Sequence, residues 1–519
     1  MLASLVNRLW KVSNLAAFCE FRRGLRQPER VQRENLRTLV EATVTTAFGR
    51  TFKFDKITSY EDFARRVPLS DYSALEAWVN RIQQGEQEVL TAERVTHLVP
   101  TSGSTGARKL IPFTAGLQRQ FNAAIGAWLV DLTRLRPSVI GGESYWSITP
   151  VLGETTIETS AVPVGFDADT AYLGRFRGKL ATLAMAVPVT TGRAKSLDEF
   201  RERTLTHLIR CGELRLISAW HPSFVTLLLD ELPGMWSRLV SKVEEGFDGT
   251  RPDPKRAGEL RESDPLRPET IWRHLQVISC WGEGAASVGM EDLRRRFPKA
   301  LIQPKGLIAT EGIVTIPFSG RYPLAIASHF YEFIDEQGQV FPVEELREGQ
   351  DYEVIVTTAG GLWRYRLGDR VRVTGWLEKT PCLKLLGRGE SVSDRFGEKL
   401  SEPFVFRALC ELFGSEPPKF AMLAPDEDEL GVRYTLYVEG TIRTGWPQRL
   451  EDLLRRNPHY TYCRDLKQLL APRVYVITAR AFETFAGRQA ANGARLGDVK
   501  PLALSRTGGW STVFPGRYC

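Results

Sequence analysis

The chain has 519 residues, 43% of them hydrophobic and 25% charged, with a formal net charge of +7. That length exceeds one ordinary domain, and the mix is that of a globular protein with a sizeable core, which excludes a disordered chain. Lys and Arg are interleaved with Asp and Glu almost everywhere, so the excess charge forms no patch for nucleic acid, and no apolar run approaches the ~20 residues of a membrane span.

The seven cysteines are odd in number, dispersed and without a CxxC pair. This fits a reducing, cytoplasmic location rather than a disulfide framework. The six histidines are also scattered, and no zinc constellation is visible.

In chain order, Met1 to Phe18 comes first. Leu2, Leu5, Val6, Leu9 and Trp10 recur on one helical stripe, with Arg8 and Lys11 and no acid before Glu20. The expectation is an amphipathic helix packed on the body of the protein; a transit peptide or membrane-surface helix is the other reading. Arg30 to Gln84 reads as helical, with Leu75, Trp78, Val79 and Ile82 on one face and Gly85 as its stop. Val95 to Val99 predicts a strand, and Ala115 to Arg134 a helix. From Ser144 to Thr380, short apolar runs (Leu214 to Ala219, Val277 to Cys280, Leu301-Ile302, Tyr352 to Thr358) alternate with helical stretches such as Phe224 to Leu229 and Met290 to Phe297. That alternation predicts an α/β domain with covered sheets. Past Gly387-Arg388-Gly389-Glu390 the pattern becomes compact α+β, with a helix over Ser401 to Phe413 and strands at Tyr434 to Glu439 and Val474 to Ile477.

Five motifs carry chemistry. The loop Thr101-Ser102-Gly103-Ser104-Thr105-Gly106-Ala107-Arg108-Lys109 joins small hydroxyl residues and glycines to a terminal lysine. Its glycines allow close backbone approach to a ligand, and amides and hydroxyls can cradle phosphate oxygens. The Walker spacing is absent, and a flexible turn is the competing reading. Second, Thr310 and Glu311 sit in an apolar neighbourhood. The carboxylate reads either as a Mg²⁺ ligand beside ATP phosphates or as a solvated strand end. Third, Asp369 follows Gly368, placing a carboxylate where it can accept hydrogen bonds from both ribose hydroxyls, or simply in a turn. The fourth motif is Arg388 and Glu390 with Gly397-Glu398-Lys399; the fifth is Lys500 before Pro501. Each of these two is weak alone. Tyr145 to Pro163 and Ala219-Trp220-His221 are candidates for an acid pocket, though for Tyr145, Trp146 and Trp220 the core reading is the favoured one.

The order and spacing of the five resemble the adenylate-forming superfamily, which contains acyl-CoA synthetases, peptide-synthetase adenylation domains and firefly luciferase. The resemblance runs from about Thr101 to Lys500. Within it, Ser70 to Thr114, Gly361 to Asp369 and Leu466 to Ser505 look like the auxin-responsive acyl-acid amido synthetases, plant enzymes that conjugate auxin or jasmonate to amino acids and have bacterial relatives.

The resemblance implies a large N-terminal adenylate-forming domain of mixed sheets flanked by helices (1–388) and a smaller α+β C-terminal domain (389–519) on a hinge at Glu390. It implies ATP and Mg²⁺, with a small carboxylic acid and an amine or amino acid as substrates. Thr101, Ser102, Gly103, Ser104, Thr105, Gly106 and Lys109 would then hold phosphates, and Gly282 and Glu283 would meet adenine. Thr310 would touch the nucleotide, Glu311 the metal, and Asp369 the ribose, with Arg388 nearby. Lys500 would swing in to the acyl phosphate. Two departures stand out. Leu307 occupies a position often aromatic in the superfamily, and Lys500 is followed by Pro501-Leu502 rather than by Thr/Met-Pro-Arg. An acyl-CoA ligase of the same superfamily is the alternative, and a non-catalytic nucleotide-binding protein the remote one.

Overall fold

The computed structural model describes the chain apart from residues 1, 102–108, 149–159, 166–181, 284–285, 389–391, 394, 415, 441, 492–498 and 500; at residues 197, 287, 288, 388 and 392 it describes the backbone. The predicted α/β architecture with a smaller α+β C-terminal part is what it shows.

Strands β1 (His97–Thr101) and β2 (Lys109–Phe113) form an antiparallel hairpin in which Thr101 stands opposite Lys109. The hydroxyl/glycine segment therefore links strand to strand, whereas a Walker loop links strand to helix. Thr114 then caps the helix Ala115–Leu135, its Oγ1 accepting from Leu117 N at 3.0 Å.

Next come β3 (Glu143–Trp146), β4 (Leu214–Ser218), β5 (Val277–Cys280) and β6 (Leu301–Pro304), four parallel strands side by side in chain order. Their apolar residues are buried with the helices Leu197–Arg210, Pro222–Glu245 and Ala286–Arg296, as a parallel sheet requires. Strands β7 (Phe330–Ile334), β8 (Val340–Pro342), β9 (Asp351–Thr357), β10 (Tyr365–Leu377) and β11 (Thr380–Arg388) make an antiparallel sheet in the order β11-β10-β9-β7-β8. It shares one large core with the N-terminal helices, with the β1–β2 hairpin and with Ala115–Leu135.

After the small pair β12 (Val392–Ser393) and β13 (Leu400–Ser401), the C-terminal sheet holds β14 (Phe420–Asp428), β15 (Gly431–Glu439), β16 (Leu469–Ile477) and β17 (Gly516–Tyr518). Two further cores pack on this sheet, one with the helices Glu402–Phe413 and Trp446–Leu454, the other with Ala481–Ala491 and Trp510.

The N-terminal stretch forms the expected helix packed on the body of the protein, but only part of its stripe is buried. The helix Leu2–Ser13 buries Val6 and Trp10, while Leu2, Leu5 and Leu9 are exposed. Trp10 docks on Trp146, ring centroids 6.1 Å apart, so the helix sits on one edge of its apolar face instead of its centre.

Candidate active site

Ile308 and Ile313 form an antiparallel bridge, and between them Ala309 and Gly312 exchange backbone hydrogen bonds of 3.0 and 3.3 Å. Thr310 and Glu311 are thus the two central residues of a tight turn. Glu311 is 3% exposed and makes no hydrogen bond or ion pair with the described residues. The turn is held from behind by His329. A Cβ at position 312 would lie 3.1 Å from His329 Nε2, so glycine there lets the ring close in and accept from Ile313 N at 3.1 Å. Burial pulls the His329 pKa down to about 3, which keeps the ring neutral. With Nε2 an acceptor, Nδ1 carries the proton and donates to Gln120 Oε1 at 3.0 Å.

Gln120 joins this turn to the other motifs. Its Oε1 also accepts from Ala359 N at 2.9 Å, and the Ala359 carbonyl accepts from Thr114 Oγ1 at 3.0 Å and Thr91 Oγ1 at 3.3 Å. The Glu311 turn, the residues just after β2 and the segment leading to Asp369 are therefore fixed to one another through partly buried polar contacts, which hold geometry because an unmade bond away from water is costly.

That last segment is anchored along its length. Trp363 Nε1 donates to Leu90 O at 3.0 Å. The Arg364 guanidinium grips Glu332 with two bonds of 3.0 and 2.8 Å and also donates to Ala64 O and Val67 O. Gly368, at φ +77°, lies in a register shift between Arg366 and Arg370. The predicted glycine turn is a bulge within β10, and it needs glycine for the same reason. Beyond it, Asp369 is buried to 9% exposure directly across the ladder from Arg388.

Gly282 and Glu283 follow β5. A Cβ on Gly282 would come within 2.9 Å of the Pro304 ring, so the chain can pass there only as glycine. Glu283 reaches over to β11, where Leu385 N donates to its Oε1 at 3.4 Å. Desolvation raises its pKa to about 7, against the opposing pull of that amide and of Lys384. Leu385 is three residues from Arg388, so the parallel sheet and the antiparallel sheet meet beside Asp369.

Ser102, Gly103, Ser104, Thr105, Gly106, Glu390 and Lys500 lie outside the described residues. Glu398, singled out in the fourth motif, is fully buried and accepts from Arg395 N, Phe396 N and Tyr434 Oη at 2.6–2.9 Å, which makes it a loop-forming residue of the C-terminal unit. Tyr145 is core at 1% exposure, while Trp146 and Trp220 are half-buried. Sequence reading missed Gln120, His329 and Lys305. For His329 and Lys305 the available signal was a lone polar residue bordering an apolar run.

Family models match along the chain in three consecutive parts: the GH3 family N-terminal domain over residues 18–302, the central domain over 322–388 and the C-terminal domain over 405–508. The chain belongs to the GH3 family. This GH3 chain is 23% identical over 405 residues to the jasmonoyl–L-amino acid synthetase JAR4 of Nicotiana attenuata, covering 69% of each. It is 24% identical over 452 residues to a probable indole-3-acetic acid-amido synthetase of Oryza sativa subsp. japonica, covering 74% of this chain and 72% of that one. In fold it is similar to the GH3.15 acyl acid amido synthetase, with a TM-score of 0.80 at 18% identity over 96% and 94% of the two chains. A 2-hydroxyisobutyryl-CoA ligase matches with a TM-score of 0.51 at 14% identity, over 87% and 86%. The GH3 chain is thus an AMP-forming acid–amine ligase in class, and ATP use comes with that class.

Proposed function

We propose that this GH3 enzyme activates a small carboxylic acid at the crevice between β1–β2, the Glu311 turn and the Asp369–Arg388 ladder, and passes the acyl group to an amino acid. The observation that supports this reading is the Gln120–His329–Ala359 network, which ties the helix after β2, the Glu311 turn and the segment before Asp369 to one another. Thr101 and Lys109 frame a loop whose Ser102, Gly103, Ser104, Thr105 and Gly106 would cradle the phosphates. Asp369, with Arg388 opposite, would take the ribose hydroxyls, and Gly282, Glu283 and Thr310 would line the base and α-phosphate.

Mg²⁺ keeps several waters and shares carboxylates with substrate phosphates. No cluster of three or more His, Cys, Asp and Glu residues suited to a metal occurs among the described residues. A single buried, unengaged carboxylate at a turn tip fits this demand, and Glu311 would supply it. Bound there, the ion would neutralise phosphate charge.

The chemistry needs no covalent enzyme intermediate. A carboxylate oxygen attacks the α-phosphorus in line, the bond to the bridging oxygen breaks, and pyrophosphate leaves. The amine then adds to the acyl carbonyl, the bond from carbonyl carbon to phosphate oxygen breaks, AMP leaves, and the nitrogen gives up its proton. Residues 1–388 and 389–519 would act as two units, with Glu390 the hinge and Lys500 carried on the moving one. The separate hydrophobic cores on either side support that division. Seven cysteines in no disulfide fit a cytoplasmic setting, and no described helix is long and apolar enough to cross a membrane.

Exchange of labelled pyrophosphate into ATP, run across a panel of acids, tests the first step. Adding amino acids or CoA to the acids that support exchange tests the second. Amide with AMP is the expected product; a thioester would make the enzyme an acyl-CoA ligase. Tight ATP binding without exchange for any acid would overturn the ligase reading.

A further inference from the structure

The parallel sheet ends in an aromatic cage around one lysine. Trp146, Ser218, Ser279 and Gln303 stand in line across β3 to β6. Two residues further on, and so on the same face, come Trp220, Trp281 and Lys305. The ladder continues to them, with Trp281 N bonded to Trp220 O at 2.8 Å and Lys305 N to Cys280 O at 2.9 Å. Lys305 Nζ lies 5.5 Å from the Trp128 ring and 5.9 Å from those of Trp146 and Trp220. In an open α/β sheet, ligands bind outside the carboxyl ends of the strands.

The ammonium is underused. Lys305 is 6% exposed, and its one hydrogen bond goes to Ser218 Oγ at 2.6 Å. No carboxylate pairs with it among the described residues. Nearby, Ser279 Oγ is buried without a hydrogen-bond partner. Three rings offset part of the cost of burying a cation. Two N–H donors nevertheless remain unmatched by the described residues, in a site where such groups are normally satisfied. Burial lowers the pKa to about 8, so at neutral pH the charge is still carried. A half-buried aromatic wall with an unmatched donor at its base is what a flat ligand bearing an acceptor would fill.

Position separates this group from the reacting carboxylate. Trp128 is eight residues beyond Gln120 on one helix, roughly 12 Å at 1.5 Å per residue, and Gln120 is the residue that fixes the Glu311 turn.

We propose that Lys305 is a specificity-determining residue of the acid pocket, selecting acids that carry, on a flat aromatic body, a second oxygen acceptor at the end away from the reacting carboxylate. The inference rests on the ligase reading. A site built to hydrogen-bond such a group discriminates strongly against the analogue that lacks it.

The test pairs phenylacetate with 4-hydroxy- and 4-carboxyphenylacetate, and benzoate with 4-hydroxybenzoate, on wild type, Lys305→Met and Lys305→Gln. Direct binding without ATP is read beside pyrophosphate exchange. Wild type is expected to favour the acceptor-bearing member of a pair by more than tenfold in kcat/KM. Lys305→Met should abolish that preference while leaving the plain acid and the KM for ATP within about threefold, and Lys305→Gln, which keeps a donor, should restore part of it. Equal losses for both members of each pair, or no preference in wild type by binding or by exchange, would overturn the assignment. A binding preference lost in Lys305→Met, with no exchange for any acid, would keep it and overturn the ligase reading instead.

Discussion

Leu385 N donates to Glu283 Oε1 at 3.4 Å, and this contact joins the end of the parallel sheet to the β11 edge of the antiparallel one. The carboxyl is desolvated, and one long hydrogen bond does not compensate, so its pKa rises to about 7 from an ordinary value of 4.5. The folded state therefore holds this proton more tightly than the unfolded chain does. Its contribution to stability is fully present below about pH 4.5 and is lost as pH rises to about 7, with a slope of at most about 1.4 kcal/mol per pH unit. Urea denaturation of wild type and Glu283→Gln across pH 4.5 to 8 should show that slope in the former and its absence in the latter. Parallel curves would show that Glu283 ionises freely.

His329 gives a slope of the opposite sign. Its pKa is depressed to about 3 by burial, so the unfolded chain takes up the proton first. Stability from this group is present above about pH 6.5 and is lost as pH falls towards 3. His329→Ala should remove that dependence and leave the Ile313 amide and Gln120 without their partner, at about 1–3 kcal/mol for a buried unmet group. Because the same ring holds the Glu311 turn, kcat/KM for ATP should fall about a hundredfold, as small displacements of catalytic groups do. Unchanged ATP kinetics in a folded variant would separate the ring from the site.

Glu311→Gln should divide stability from activity. A carboxylate at 3% exposure with no described partner is a cost to the free protein. The neutral amide should raise stability by about 1 kcal/mol while lowering adenylation at least a hundredfold, about 2.7 kcal/mol of transition-state stabilisation. Differential scanning calorimetry beside pyrophosphate exchange reads both. A loss of both stability and activity would make Glu311 a structural residue.

Arg201 and Glu483 pair across the contact between the helices Leu197–Arg210 and Ala481–Ala491, with His221 stacked on Phe482 beside them. Arg201 also has Asp198 at 3.6 Å and Glu231 at 3.8 Å, so removing Glu483 does not strand it. Glu483→Gln should weaken this arrangement of the C-terminal unit by about 1 kcal/mol. Donor and acceptor dyes placed on the two units should report about a fivefold shift towards other arrangements. An unchanged distance distribution would mean that the aromatic contact alone suffices.

Arg364 should be the most sensitive structural position near the site. Its ion pair with Glu332 is almost fully buried, at 6% and 0% side-chain exposure. Arg364→Met leaves Glu332 as a buried charge with Tyr60 as a remaining donor and should cost about 3–5 kcal/mol, read by chemical denaturation. A loss below about 1 kcal/mol would show that water reaches Glu332.

Several elements were legible in the residues themselves because their signals are local. The helical run from Ala115 to Arg134 marks Ala115–Leu135, alternating apolar runs mark β4, β5 and β9, and Gly368 before Asp369 marks a backbone that only glycine adopts readily. The linear order of the motifs, read with the family resemblance, was enough to point to an adenylating ligase. The tertiary structure decided what those motifs are attached to. Gln120 comes from a helix more than two hundred residues before His329 at a strand edge and Ala359 in a loop, and the three become one network only when the sheets pack. The same holds for Lys305, whose unmatched donors are defined by three tryptophans from other elements. Periodicity and capping depend on neighbours within a few residues and so are written in the chain. Desolvation, unmet hydrogen bonds and shifted pKa values depend on what long-range folding brings close, and no local pattern encodes them.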